Sequence, residues 1–173
     1  MLHLPDITIC QRAPAGPKRT AGAMRQLRAH TILILKERLS VNKVIIGTDG
    51  AARGNPGPAA IGATLKDEKG NPIARISRRI GITTNNQAEY QAIIAALEKA
   101  ISLGARHVEL YTDSELVVKQ INGRYRVKNT TLRPLYQKVV QLIGSLEGFK
   151  IAYIPRQQNA EADKLANKAL DTM

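Results

Sequence analysis

The sequence has 173 residues, which leaves room for one ordinary domain of about 100–150 residues and excludes a second full domain. Apolar residues make up 43 % and charged residues 23 %, as in soluble globular proteins, and the apolar runs at 31–35 and 44–47 are far shorter than the roughly 20 residues that a membrane helix needs. The formal net charge of +12 and the pI of about 10.1 favour a polyanionic partner such as nucleic acid, although charge alone fits a ribosomal or membrane-surface protein equally well.

Residues 1–42 differ in composition from the rest of the chain. Arginine and lysine far outnumber the two acids there, Asp6 and Glu37, and several prolines and glycines interrupt any periodicity. We predict a basic N-terminal extension over 1–42, either poorly structured or containing a short helix at 21–39 as in a transit peptide, and a folded domain over 43–173. The single cysteine, Cys10, cannot form an internal disulfide and indicates a reducing compartment.

Three strands are predicted at the start of the folded domain. Residues 44–49 form a short apolar run that ends in the turn-rich stretch RGNPGP at 53–58. Residues 59–66 and 72–80 alternate between apolar and polar side chains, and the turn between them contains Gly70 and Asn71. We therefore expect three sequential antiparallel strands.

Helices and strands alternate in the remainder of the chain. The hydrophobic spacing predicts helices at 86–103, 115–121, 131–146 and 160–170, with Ser114 as the cap of the second, and strands at 107–112 and 149–154. The order is β-β-β-α-β-α-α-β-α, which indicates an α/β fold with a five-stranded mixed sheet. A right-handed crossover would place the fourth strand parallel to the first and beside it.

Four acidic residues occupy unusual places in this scheme. Asp49 ends the first strand and Asp113 ends the fourth, so both are expected at one edge of the sheet, while Glu89 and Asp163 lie in the first turns of two helices. Converging carboxylates repel one another unless cations lie among them, and hard oxygen ligands suit Mg²⁺ or Mn²⁺. Two such ions can activate a water and stabilise the leaving oxygen of a phosphodiester, which predicts a hydrolytic nuclease.

Each acid taken alone has a simpler explanation. An aspartate at a strand end is usually a turn or capping residue, and a glutamate in a first helical turn complements the helix dipole. Asp163 would equally pair with Lys164 or Lys168. Only the joint pattern favours a metal site.

Four segments resemble the ordered signatures of type 1 ribonuclease H. They are TDGAARGNPGPA (48–59), TNNQAEY (84–90), YTDS (111–114) and NAEADKLA (159–166), and the resemblance covers residues 43–170. It implies a ribonuclease H-like fold with helices on both faces of the sheet and a catalytic domain over 43–173. It also implies that Asp49, Glu89, Asp113 and Asp163 bind two Mg²⁺ ions, which Mn²⁺ can replace, with Asp49 bridging them. The implied activity is cleavage of the RNA strand of RNA–DNA hybrids to leave 3′-hydroxyl and 5′-phosphate ends.

The resemblance also implies substrate contacts. Asn55, Asn86 and Glu89 occupy positions that contact the RNA strand and its 2′-hydroxyls in the family, and Thr84 and Asn85 lie where the family binds backbone phosphate. A helix cap is the simpler interpretation of Asn85 and Asn86. We further predict that the basic segment after the fourth strand follows the DNA strand through Lys119, Arg124, Arg126 and Lys128. Tyr125 would either pack on a sugar or base or anchor the core.

The sequence departs from the bacterial pattern of this family in two places. The loop before the last helix reads IPRQQ at 154–158 and lacks the histidine of the bacterial enzymes, and the basic protrusion is abbreviated, both as in archaeal-type members. Arg156 is a candidate to contact phosphate or the leaving group instead, although an exposed arginine at a strand end is commonly only solvated. His107 opens the fourth strand, at the end opposite Asp113, and is interpreted as structural.

Two alternatives to a hybrid-specific nuclease were considered. One is a relaxed nuclease that also cuts double-stranded RNA or RNA–DNA junctions, and the other is a catalytically silent nucleic-acid-binding module of the same fold. Retention of all four acids argues against a pure binding module, because clustered negative charge repels phosphates. An accessory hybrid-binding module is not expected, since no aromatic residue precedes Tyr90. We expect a cytoplasmic monomer with an RNA–DNA hybrid as its partner, no membrane association and no obligatory protein partner.

Overall fold

The computed structural model describes residues 42–172. The predicted extension over 1–42 lies outside the described residues apart from Asn42. The strands are β1 (Lys43–Ala52), β2 (Gly57–Lys66), β3 (Pro72–Thr83), β4 (His107–Thr112) and β5 (Gly148–Tyr153). The helices are α1 (Asn85–Ser102), α2 (Glu115–Ile121), α3 (Arg133–Ile143) and α4 (Ala160–Asp171), and a 3-10 turn, Arg156–Asn159, precedes α4. This order confirms the predicted β-β-β-α-β-α-α-β-α arrangement.

The strands form one mixed sheet in the order β3-β2-β1-β4-β5. The pairs β1/β2 and β2/β3 are antiparallel, whereas β4 is parallel to both β1 and β5. Thr48 of β1 is in register with Thr112 of β4. Asp49 and Asp113, the next residues along the two strands, therefore lie side by side, as predicted. Asp49 does not end its strand, however, because β1 continues to Ala52 through its pairing with β2.

Helices pack on both faces of the sheet, as predicted. On one face, Val44, Ile46 and Leu65 form the core together with Leu97 of α1 and Val139 of α3, and all five side chains are fully buried. On the other face α4 approaches Gly62 of β2 so closely that a Cβ there would overlap its backbone. Alternate residues of one strand thus serve two different helical layers, which is the consequence of the two-residue period of a strand.

Several element boundaries differ from the predicted ones. Strand β3 continues to Thr83, past a bulge at which Gly81 adopts a φ of 85°, a conformation that periodicity does not reveal. The predicted helix at 131–146 begins only at Arg133, because the Asn129 side chain accepts hydrogen bonds from the backbone N–H groups of Thr131 and Leu132 and holds a turn there. It ends at Ile143.

Ser114 occupies the N-cap position of α2, as predicted, but its side chain does not cap the helix. The Ser114 side chain makes no capping hydrogen bond, and its backbone N–H instead donates to Oγ1 of Thr112 at 3.3 Å. His107 opens β4 opposite Gly148 of β5, at the end away from Asp113, as expected for a structural residue. No helix within residues 42–172 is long and apolar enough to cross a membrane.

Candidate active site

The first two acids of the site follow from the parallel pairing of β1 and β4. Thr48 and Thr112 are both fully buried, and they form the last pair of the parallel register between the two strands. Asp49, 6 % exposed, and Asp113, half-buried, then emerge side by side at the edge of the sheet. Strand register alone therefore accounts for this pair.

The third acid, Glu89, lies near the start of α1, which positions it in the site. Thr84 caps the helix: its hydroxyl accepts the backbone N–H of Gln87, and the Gln87 side chain accepts the N–H of Thr84 at 3.2 Å, which forms a capping box. Gly50 of β1 lets the helix approach, because a Cβ at this position would overlap the backbone of Ala88 and Glu89. Glu89 is consequently 5 % exposed and lies against the end of β1.

Asp49, Glu89 and Asp113 converge on one point. Each offers a carboxylate oxygen, and these three atoms lie within 4.8 Å of one another. The acids line a pocket of about 410 Å³ together with Asn85 and Arg156. The site therefore gathers residues from three elements that are separated by up to 64 positions in the sequence, from Asp49 to Asp113.

The fourth predicted acid, Asp163, lies outside this group of three. It belongs to the first turn of α4 and accepts a hydrogen bond of 2.6 Å from the Arg156 guanidinium. Its partner is thus Arg156, and not Lys164 or Lys168. Arg156 itself is neither merely solvated nor remote from the acids, since it lines the same pocket.

Asn159 is a residue of the site that the sequence reasoning missed. Its side-chain amide donates to the Thr48 carbonyl at 2.8 Å and to Oδ1 of Asp113 at 3.0 Å, and the residue is 3 % exposed. It therefore ties the 3-10 turn to β1 and to the residue that follows β4. The available signal was its place at the start of the fourth signature segment, directly before α4.

Burial and mutual repulsion raise the pKa values of two acids of the site, Asp49 and Glu89. Burial first, and then the charges of Asp113 and Asp163, raise the pKa of Asp49 from 3.8 to about 7, against the opposing effect of Arg156. Burial followed by Asp49 and Asp113 likewise raises the pKa of Glu89 well above its usual range, while a hydrogen bond from the Gly50 backbone and the charge of Arg156 act in the opposite sense. Additional positive charge is what such a group needs in order to ionise fully at neutral pH.

The residues present fit a divalent cation. Oε2 of Glu89 and Oγ1 of Thr48 are buried and have no hydrogen-bond partner among the described residues. A buried carboxylate oxygen without a partner is costly unless a cation or an ordered water satisfies it. The three converging donors are hard carboxylate oxygens, the ligand type of Mg²⁺, Mn²⁺ and Ca²⁺, and no histidine or cysteine of residues 42–172 joins them.

The residues predicted to contact the RNA strand lie beside the acids. The Asn55 side chain accepts the backbone N–H of Asn85 at 3.2 Å and so joins the β1–β2 loop to the first turn of α1. Asn85 lines the acid pocket, and Asn86 is exposed next to it. The cap of α1 is Thr84, so the interpretation of the two asparagines as its cap is wrong.

The predicted basic segment lies on α2 and the turn after it. Lys119 pairs with Glu115 at 2.7 Å and lies over the ring of Tyr125, with its Nζ 5.1 Å from the ring centre. Tyr125 is 50 % exposed and therefore does not anchor the core. Arg124, Arg126 and Lys128 are exposed. Whether they contact nucleic acid stays a prediction.

Comparisons with known proteins agree on one family. A family model described as "Reverse transcriptase-like" matches residues 47–169. Ribonuclease HI of Halobacterium salinarum is 46 % identical over 71 % of this chain, and this chain spans 62 % of that protein. A bifunctional protein of Mycobacterium tuberculosis is 42 % identical over 75 % of this chain, which spans 36 % of it.

Solved structures of similar sequences share the fold of this chain. RNase H1 of the halophilic archaeon Halobacterium salinarum superposes with a TM-score of 0.74 at 44 % identity, over 76 % of this chain and 99 % of that one. LC11-RNase H1 in complex with an RNA/DNA hybrid gives a TM-score of 0.71 at 46 % identity, over 74 % of this chain and 96 % of that one. The chain belongs to the type 1 ribonuclease H family.

Proposed function

We propose that this protein is a metal-dependent endonuclease that hydrolyses the RNA strand of RNA–DNA hybrids, with Mg²⁺ as its ion and Mn²⁺ as a substitute. The observation that carries the proposal is the convergence of Asp49, Glu89 and Asp113 within 4.8 Å, with one buried oxygen of Glu89 lacking any hydrogen-bond partner in the described chain. Such a site suits a cation and repels a phosphate in the cation's absence, so a purely binding role is disfavoured.

A nucleic-acid duplex containing RNA is the substrate that the surroundings of the acids favour. A relative of 46 % identity was solved with an RNA/DNA hybrid, and the formal net charge of this chain is +12. Asn85 lines the acid pocket, and the side chain of Asn55 accepts the backbone N–H of Asn85. Amide groups can hydrogen-bond the 2′-hydroxyls that distinguish RNA from DNA.

The mechanism assigns separate tasks to the residues of the site. When bound, divalent ions would activate a water for attack on phosphorus and stabilise the leaving 3′-oxygen, which yields 3′-hydroxyl and 5′-phosphate ends. Asp49, Glu89 and Asp113 would hold those ions, with Asp163 as a fourth ligand. Asn159 orients Asp113 through the hydrogen bond of 3.0 Å. Arg156 lies at the rim of the pocket, where its guanidinium can reach a phosphate oxygen.

The acids of the site all come from one chain, so the proposed reaction requires no second subunit. We accordingly propose that the protein acts as a monomer without an obligatory protein partner. Its proposed place of action is the cytoplasm, where RNA–DNA hybrids and a reducing environment suited to its single cysteine are both available.

The proposal is tested with a uniformly labelled RNA–DNA hybrid, duplex RNA and an RNA–DNA junction, each in Mg²⁺ and in Mn²⁺. We expect cleavage of the hybrid by the wild type and a loss of about a hundredfold or more in Asp49→Asn, since one of the carboxylates that would hold the ions is removed. Glu98→Gln is the matched control, because Glu98 is an exposed acid that pairs with Lys138 on another face. Equal cleavage by Asp49→Asn and wild type, or binding of the hybrid without cleavage, would contradict the proposal.

A further inference from the structure

The ion pair between Arg156 and Asp163 joins a largely exposed side chain to a largely buried one. The two groups are 2.6 Å apart, and the Arg156 side chain is 72 % exposed whereas that of Asp163 is 23 % exposed. The guanidinium thus extends from solvent and hydrogen-bonds Oδ1 of Asp163, the one predicted metal ligand that lies outside the group of three.

The backbone of Arg156 is held by the same turn that orients the acids. Arg156 begins the 3-10 turn and Asn159 ends it, and Asn159 donates to both Thr48 and Asp113. The position of the Arg156 backbone is therefore set relative to the acids, while most of its side chain is exposed to solvent.

The charge of Arg156 acts on the whole acid group. Its side chain lines the same pocket as Asp49, Glu89 and Asp113, so its positive charge lies beside their carboxylates. A cation at this position does part of what a bound divalent ion would do.

We propose that Arg156 is an internal counter-ion that occupies Asp163 in the metal-free protein and must leave it before Asp163 can bind a second ion. This inference rests on the proposed function. Asp49, Glu89 and Asp113 would hold one ion without displacing Arg156, whereas Asp163 would hold another only in competition with Arg156. An exposed ion pair is weak enough to be displaced, and the released guanidinium is free to contact the substrate phosphate.

The competition is measured by calorimetric titration of the full chain with Mn²⁺ alone, without nucleic acid. Arg156→Ala should raise the affinity for the weaker ion by roughly tenfold, since it removes a charge-assisted hydrogen bond that the ion must break. Arg156→Lys, which keeps the charge, should resemble the wild type. Arg106→Ala is the matched control, because Arg106 forms an exposed ion pair of 3.1 Å with Glu147 at the other end of the sheet.

Two further measurements separate competition from a structural role. In EDTA, Arg156→Ala should unfold roughly 2–5 °C below the wild type, since repulsion among the acids rises, and saturating Mn²⁺ should remove the difference. In an Asp163→Asn background the weaker ion should be lost, and Arg156→Ala should no longer change Mn²⁺ binding. Both results would support the proposal.

Unchanged or weaker Mn²⁺ binding in Arg156→Ala would overturn it, as would a second ion that binds equally well to Asp163→Asn. These measurements use no nucleic acid, so they are independent of the cleavage assay. If the wild type cleaves the hybrid while Arg156→Ala binds Mn²⁺ as the wild type does, only the counter-ion role fails. If the wild type cleaves no hybrid, but Arg156→Ala binds the weaker Mn²⁺ ion more tightly than the wild type does, only the proposed function fails.

Discussion

The Asn159 side chain donates one hydrogen bond to the Asp113 carboxylate, at 3.0 Å, and a second to the Thr48 carbonyl, at 2.8 Å. The three residues belong to the 3-10 turn, to β1 and to the position directly after β4. Because the amide has only two N–H groups, both of its donors are used, and Asp113 is held in one orientation.

Asn159→Ala should lower kcat by about tenfold or more with little change in KM, since the orientation of Asp113 would be lost while the substrate surface stays intact. Stability should fall by about 1–3 kcal/mol, because the buried Thr48 carbonyl would lose this partner. Steady-state cleavage and urea unfolding measure the two effects. Asn71→Ala, in the exposed hairpin turn, is the control and should alter neither kinetic constant. A rise in KM alone would show that Asn159 contacts substrate instead.

Gly50→Ala should disrupt the site by displacing Glu89, the acid that α1 contributes. The added Cβ would overlap the backbone of Ala88 and Glu89, so α1 would have to move away from β1 and carry Glu89 with it. We expect a loss of about 3 kcal/mol in unfolding free energy and weaker Mn²⁺ binding. Gly144→Ala is the control, since its Cβ would meet only ordinary contacts at 3.4 Å or more. Normal Mn²⁺ affinity in Gly50→Ala would contradict this account of the close approach.

The raised pKa of Asp49 predicts how stability depends on pH in the absence of metal. Between about pH 4 and pH 7 the folded protein holds a proton that the unfolded chain has released, because the pKa rises from 3.8 to about 7 on folding. The stabilisation from that proton is fully present below about pH 4 and is lost as the pH rises towards 7.

In EDTA, the wild type should therefore lose stability relative to Asp49→Asn across this window, and Mg²⁺ should restore it at pH 7 and above. Urea unfolding at a series of pH values measures the difference between the two proteins. Glu98→Gln should follow the wild type throughout. Parallel curves for wild type and Asp49→Asn would show that Asp49 titrates normally.

The basic segment is expected to act on binding and not on chemistry. Changing Arg124, Arg126 and Lys128 together to glutamine should raise KM for the hybrid and leave kcat nearly unchanged, because these side chains are exposed and outside the acid pocket. The slope of log K against log salt should become shallower by up to about 3, since each lost phosphate contact removes about 0.9. The same change at Lys99, Arg106 and Lys138, which do not line the acid pocket, is the charge-matched control. Equal salt slopes for both triple variants would show that the DNA strand does not follow this segment specifically.

The amino-acid sequence by itself determined the order of the elements and the positions of Asp49 and Asp113. Alternation of apolar side chains locates strands, and the handedness of crossover connections places β4 beside β1, so both aspartates had to reach one edge of the sheet. The signature segments added Glu89 and Asp163 as members of the same site.

Only the tertiary structure decided which acids share an ion-sized space and which are held elsewhere. The contact of Asn159 with Thr48 spans 111 positions, and the approach of α1 depends on the missing Cβ of Gly50. The pairing of Arg156 with Asp163 depends on where a short turn directs one long side chain. Periodicity describes the face on which a residue lies, whereas such contacts depend on distances of a few ångströms between elements, which arise only when the helices pack on the sheet.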